Sequence, residues 1–168
     1  MTTSTCPSCG YQAEDARQPD PDAVYSPACY DCFTQLLARS YSDVTYRRVH
    51  QMLVDAYNVQ HPDRPDRRGA VQAVAVCLMT LCLFVEDGVD PAQGPRLHKA
   101  MADHPVFHHL PPPSLRGLPT AADVVAAKDA VGHERLVRWW AGRVWRAWAP
   151  HHATVRRWLV DGAYRQQA

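Results

Sequence analysis

The sequence is poor in the signals that announce an enzyme. It contains no GxSxG elbow, no phosphate-binding P-loop, no HExxH helix and no glycine-rich dinucleotide turn. The hydrolase, nucleotide-binding and metalloprotease classes that depend on those motifs therefore have no foothold. Nor does any apolar run reach the ~20 residues that a membrane-spanning helix needs. The longest, from Val71 to Val85, is interrupted by Gln72 and Thr80 and reads as a buried core helix. The opening MTTSTCPSCG has no apolar h-region and no small-residue cleavage site, so a cytoplasmic protein is expected. Lysine is scarce, at 2 against 16 arginines, and with abundant alanine this reads as the bias of a GC-rich bacterial genome. An excess of charge is lacking too: 18 basic and 17 acidic residues leave a net charge of +1. No global field draws the chain to nucleic acid or to an anionic membrane, and such binding would need a local patch. With 168 residues the chain is long enough for one domain with a real core, so no metal or disulfide is required to hold up the whole fold.

What the sequence does have is cysteine in an informative arrangement. CPSCG at Cys6 to Gly10 and CYDC at Cys29 to Cys32 form two CxxC pairs. In a reducing compartment such pairs serve as metal ligands rather than disulfides. Cys6, Cys9, Cys29 and Cys32 have the spacing of a tetrahedral four-cysteine zinc site, with an iron site of rubredoxin type as the other option. Pro7 and Gly10 suit a tight knuckle around the first pair, Gly10 by adopting positive φ. Ser26 and Pro27 open a helical pattern around the second pair, where the positive end of the helix dipole favours thiolate. A knuckle followed by a helix start is treble-clef-like, with a weak hairpin expected between them although QAEDARQPDPDAVYS is polar and broken by proline. A redox role for the first pair would require a preceding strand and a following helix, which the sequence does not suggest. A closed four-thiolate site leaves no position for catalysis and is structural. Cys77 and Cys82, five apart within the apolar run, lie on different faces and read as small core fillers.

The remainder has helical periodicity. Expected helices run from a Ser42 cap to about His61, from about Arg68 to a stop at Gly88, over Arg96 to Asp103, from a Thr120/Asp123 capping start to Val131, over His133 to Trp148, and from Pro150 to Tyr164. HHLPPPSLRGLPT is a rigid connection. The fold class is therefore mainly α: a bundle of five or six helices over residues 37–168, with a small zinc module over 1–36 leading into the first helix. On the helix from Asp43 only Arg48, Gln51, Asp55 and Asn58 form a polar sector, while His50, Tyr57 and His61 face apolar neighbours. His151 and His152 flank the Val155 and Leu159 stripe of the last helix. On the helix from His133, Arg135, Arg138, Arg143 and Arg146 take the outer side, and Trp139 sits among them, whereas Trp140 and Trp148 face inward and Trp145 lies at the border.

VHQMLVDAYNVQHP, the segment DVVAAKDAVGHERLVRWWAGRVWRAWAPHHATVRRWL and the two CxxC pairs together give the chain a resemblance. It resembles a bacterial family of unknown function, the one numbered 5946. The resemblance spans most of the chain, rests chiefly on VDAYxxQHP and WxxHHxxVxxW, and implies bacterial origin and a cysteine-rich start but no activity. Gly132 stands before His133 where an acidic residue is expected, which argues against an acid or metal site there. Three functions are compatible with the residues. The first is a small zinc-binding module with a structural site, recognising a protein or small-molecule ligand. The second is a metal-dependent or acid-base enzyme inside the bundle, using His50, His61, Glu86, His151 and His152 as catalytic groups beside Tyr57, with a second metal there. The third is nucleic-acid binding through Trp139 and Arg143, opposed by the near-neutral charge and by Glu14, Asp15, Asp20 and Asp22. An inward histidine is more often a hydrogen-bonded structural group than a ligand.

Overall fold

The computed structural model describes residues 2–18, 20–102 and 107–164. Within them the fold is mainly helical, with eight α-helices and one two-stranded sheet. The strands β1 (Thr2–Thr5) and β2 (Gln12–Asp15) pair antiparallel, Thr5 opposite Gln12. The hairpin thus encloses the first CxxC pair, whereas the sequence suggested one between the two pairs. Its polar strands have no apolar alternation, and a tight knuckle joins them. Gly10, at φ +79°, donates its N–H to the Cys6 carbonyl at 3.0 Å, and Cys6 donates to the Tyr11 carbonyl at 2.8 Å.

Helix α1 (Pro27–Ser42) begins where expected. Ser26 caps it by accepting from the Cys29 N–H at 3.3 Å, and Pro27 takes the first helical position. The long helix anticipated after Ser42 is instead two helices, α2 (Val44–Arg47) and α3 (His50–Gln60), separated by a turn at Arg48 and Val49. Asp43, not Ser42, is the cap: its carboxylate accepts from the Thr45 N–H at 2.8 Å. Helix α4 (Ala70–Val85) is the apolar run, buried continuously from Ala75 to Phe84, and Gly88 follows it at φ +68°. Helix α5 (Gly94–Ala102) starts slightly before Arg96, and its anticipated end at Asp103 lies outside the described residues. The Thr120/Asp123 capping box forms, but α6 (Ala121–Val125) stops early, because Asp129 caps a new helix by accepting from the Gly132 N–H at 2.7 Å. That helix is α7 (Ala130–Ala147), and α8 (His152–Asp161) follows a 3-10 turn containing Pro150. Among the described residues no helix is long and apolar enough to cross a membrane.

Helix α3 lies at the centre, packed against α4, α7 and α5. Because it is enclosed, its polar side chains must find partners in other elements. Gln60, fully buried, accepts from Trp140 Nε1 at 2.8 Å and donates to the Pro119 carbonyl at 2.9 Å. Trp148 Nε1 donates to the Val59 carbonyl at 3.1 Å. Asp55 is also fully buried, which corrects its place in the polar sector: Thr80 Oγ1 donates to it at 2.6 Å and Gln51 Nε2 at 2.9 Å. His133 is buried with neither ring nitrogen hydrogen-bonded, edge-on to Tyr46 at 5.1 Å. Burial, then the nearby Arg39 charge, holds its protonation down to about 4.

The tryptophans on α7 follow the projection except at its edge. Trp139 is 48% exposed, Trp140 and Trp148 are fully buried, and Trp145 is buried rather than at the border. Its indole is drawn in by Glu86, which accepts from Nε1 at 3.0 Å. Denaturant unfolding should therefore separate neighbours in sequence. Trp139→Ala should change stability by no more than about 0.5 kcal/mol, the usual range for surface positions. Trp140→Ala should cost about 3–5 kcal/mol, the range for truncating a core aromatic.

Candidate metal centre

The knuckle brings Cys6 and Cys9 to the N-terminal turn of α1, where Cys29 is the third helical residue. The fourth donor is His61, at the C-terminal cap of α3. One ligand atom from each of Cys6, Cys9, Cys29 and His61 lies within 4.8 Å of every other, and all four residues are buried. Cys32 stands outside this quartet. Because α1 starts at Pro27, Cys32 falls in the second helical turn, where its half-buried thiol meets Tyr11. Burial raises the Cys32 thiol, and the Tyr11 hydrogen bond only partly offsets it.

The distances suit a tetrahedral ion. Sulfurs about 2.3 Å from such an ion lie roughly 3.8 Å apart, and a sulfur and an imidazole nitrogen lie about 3.6 Å apart. Cys9 Sγ and Cys29 Sγ are separated by 3.7 Å, and Cys29 Sγ and His61 Nε2 by 3.3 Å. The surroundings set the histidine tautomer. Nδ1–H donates to the Tyr57 carbonyl at 2.9 Å, so the Nε2 lone pair faces the sulfurs, as in metal-binding histidines whose second nitrogen is engaged by a backbone carbonyl. Phe33, Tyr57 and His61 form a stack, with centroid spacings of 3.9 and 4.1 Å, that fixes the ring. The backbone N–H of Tyr11 points at Cys9 Sγ from 3.5 Å.

Electrostatics favour a cation in the same place. Hydrogen bonds from Cys29 and then Cys9 hold the Cys6 thiol well below its ordinary range. Hydrogen bonding to Cys6 and Cys9, then burial, pushes Cys29 well above it. One pocket thus accommodates one thiolate readily and further thiolates only with a positive charge among them. Tyr57, 3% exposed with its hydroxyl 3.9 Å from Cys29 Sγ, is raised by burial and then by Cys29. It is a wall of the centre.

Of the other candidate residues only His152 and Glu86 come together, with His152 Nδ1 3.9 Å from Glu86 Oε1, while His50 and His151 lie apart. His50 Nδ1 pairs with Ser40 Oγ at 2.7 Å, and its Nε2 is 3.4 Å from the Tyr41 hydroxyl. His151 Nε2 donates to the Pro111 carbonyl at 2.8 Å. His152 Nε2 donates to the Trp145 carbonyl at 2.8 Å, and the ring stacks on that indole at 3.8 Å. Glu86 receives Arg156 Nε at 2.9 Å and Nη2 at 2.7 Å together with the Trp145 indole and the Cys82 thiol, so it clasps α4 to α7 and α8. Each of these histidines is committed to a separate partner. Trp139 and Arg143 are exposed on α7, which contributes no donor to the quartet. The residue that sequence reasoning placed elsewhere is His61, although the HP at the end of VDAYNVQHP, a helix end next to a buried aromatic, was a usable signal.

Residues 4–149 match the model of a family described as "Family of unknown function (DUF5946)", and with that much of its length matched the chain belongs to this family. Comparison with curated proteins and with solved structures finds no match.

Two outcomes follow. His61→Ala and Cys29→Ser should each lose bound metal, while Cys32→Ser should keep a full equivalent, as measured by elemental analysis of purified protein. Glu86 is held down to about 2 from an ordinary 4.5, first by the Arg156 hydrogen bonds. Its stabilising contribution is complete above about pH 4.5 and is lost as pH falls toward about 2. Thermal melts across that window should show a steep decline in the parent, and a shallower one in Glu86→Gln starting from a lower stability.

Proposed function

We propose that this member of the family is a zinc protein whose Cys6, Cys9, Cys29 and His61 centre is structural, and that the chain works as a binding module. The observation that supports this reading is the closed donor set: three sulfurs and one imidazole nitrogen fill a tetrahedral shell and leave no position for a reacting water. Three thiolates with one neutral imidazole suit zinc, a borderline-soft ion that favours this donor combination. In this role zinc fastens the N-terminal module of residues 1–36 to the bundle of 37–168. Cys6 and Cys9 come from the hairpin, Cys29 from α1 and His61 from α3, so the ion joins three elements.

A binding role also needs a recognising surface. A cleft of about 530 Å³ at the junction of α2, α3 and the turn before α5 is lined by Tyr41, Arg47, Arg48, His50, Gln51 and Pro91, among others. Two guanidinium groups and an imidazole there suit a small carboxylate or phosphate compound, although Asp90, 3.8 Å from Arg48, competes with it for that guanidinium. The volume is in the range of small-molecule sites. The Ser40 hydrogen bond fixes the His50 ring, and burial followed by the Arg47 charge lowers its protonation, so it serves as a neutral hydrogen-bonding group.

Elemental analysis should find one zinc per chain. Chelation should then loosen the hairpin and the start of α1, seen as faster amide exchange, while most helical circular dichroism survives because α3, α4 and α7 have their own core. Loss of the whole helical signal would refute the two-part organisation. Thermal shift against citrate and phosphomonoesters should give stabilisation that Arg47→Ala abolishes.

A further inference from the structure

A second group of metal-ligating side chains lies inside the bundle, with no residue in common with the cysteine centre. Asp55 of α3, Cys77 of α4 and His98 of α5 each place a ligand atom within 4.8 Å of the other two. Asp55 is fully buried and Cys77 is 3% exposed. The His98 side chain is 26% exposed and opens the group toward solvent. His98 reaches this position because α5 begins with a close approach to α3. A Cβ at Gly94 would lie 2.3 Å from Gln51 Cγ, so only glycine lets α5 come near enough for His98, one turn later, to face Asp55.

Several polar atoms here converge on one ring nitrogen. His98 Nε2 is 2.9 Å from Asp55 Oδ1, 3.2 Å from Gln51 Nε2 and 3.3 Å from Thr80 Oγ1. A single ring N–H can be given to Asp55 or to Thr80, and the Gln51 amide is itself a donor, so one protonation state of Nε2 cannot satisfy all three. Thr80 has one hydroxyl proton and four neighbours that could receive it: Asp55 Oδ2, the Val76 and Cys77 carbonyls, and His98 Nε2. Nitrogen and oxygen ligands about 2.0–2.1 Å from a tetrahedral ion are roughly 3.3 Å apart, so the 2.9 Å between His98 Nε2 and Asp55 Oδ1 would widen by a few tenths of an ångström on binding. One carboxylate and one thiolate would neutralise a dication, where Asp55 now has only the Thr80 and Gln51 hydrogen bonds and the neighbouring His98 ring.

We propose that Asp55, Cys77 and His98 bind a second divalent transition-metal ion of the zinc or cobalt type. In contrast to the quartet at Cys6, three protein ligands leave one coordination position for water or a small ligand, with the Thr80 hydroxyl beside it. On binding, the Cys77 thiol gives up its proton to solvent and the His98 ring proton moves to Nδ1, so that thiolate sulfur and Nε2 become ligands. One proton is released per ion, and affinity falls as pH is lowered. The site does not depend on the structural role of the first centre, and the two fail separately: His61→Ala removes the first ion and leaves the second.

The test uses full-length protein already holding one equivalent of zinc, titrated with cobalt(II). A second equivalent should bind with a thiolate-to-cobalt charge-transfer band, and Cys77→Ala should remove that band. His98→Ala should weaken the binding at least tenfold, with circular dichroism melts confirming that the variants are folded. His98→Gln, conservative at a partly exposed position, should weaken it likewise and provides the check should His98→Ala prove unfolded. Cobalt exchanging into the first centre would persist in all three variants, and a signal that persists in them overturns the proposal. So does saturation without a second equivalent in the parent protein.

Discussion

A helix enclosed on nearly every side has no water to satisfy its polar groups, and that constraint on α3 organises the molecule. Its sequence HQMLVDAYNVQ is not an apolar core sequence. Each polar side chain is therefore matched to a different element: Gln51 and Asp55 to α4 and α5, Gln60 to α7 and to the chain before α6, and His61 at its end to the cysteines. An unmatched member would cost about 1–3 kcal/mol at its own position. The helices around α3 are thus located by directional bonds as well as by apolar packing, and directional bonds define one arrangement where apolar packing alone would accept several.

This also governs what could be read from the sequence. Features set by local chemistry were legible: the mainly helical class, the Ser26/Pro27 start of α1, the Thr120/Asp123 capping box, the stop at Gly88 and the exposure of Trp139. Features set by contacts between distant segments were not. Periodicity assigned Asp55 to a polar sector, and a polar sector is read as solvent-facing unless another buried polar group waits for it, here Thr80 and His98. The CxxC spacing pointed to the region of the donor cluster and to its three cysteines. It could not show that the start of α1 at Pro27 carries Cys32 past the centre, or that α3 ends with an imidazole aimed at Cys29. The hairpin was misplaced because Thr2–Thr5 has no alternation and is held by the knuckle that it flanks.

The histidines show why residue type alone is a weak guide to chemistry. Four inward-looking imidazoles left one active centre open as an alternative, and His50, His151 and His152 each bond a separate hydroxyl or carbonyl, with only His152 near Glu86, a carboxylate already held by Arg156 and Trp145. His61 and His98, the histidines found among the described residues in groups of three or more metal-ligating side chains, sit at opposite stages of the same design. One completes a sealed shell, and the other is reached from the surface.

That the shell is completed from the far end of α3 bears on how the chain acquires its structure. A four-cysteine site would close within the first stretch of chain to be made, before any bundle existed. With His61 as a member, the linkage spans everything from Cys6 to the end of α3, a long loop whose closure entropy must be met before the contact stabilises anything. An ion held by all four donors would reach full coordination late in folding, after α3 has docked, and its tightest binding would be reserved for chains that have already found their native topology.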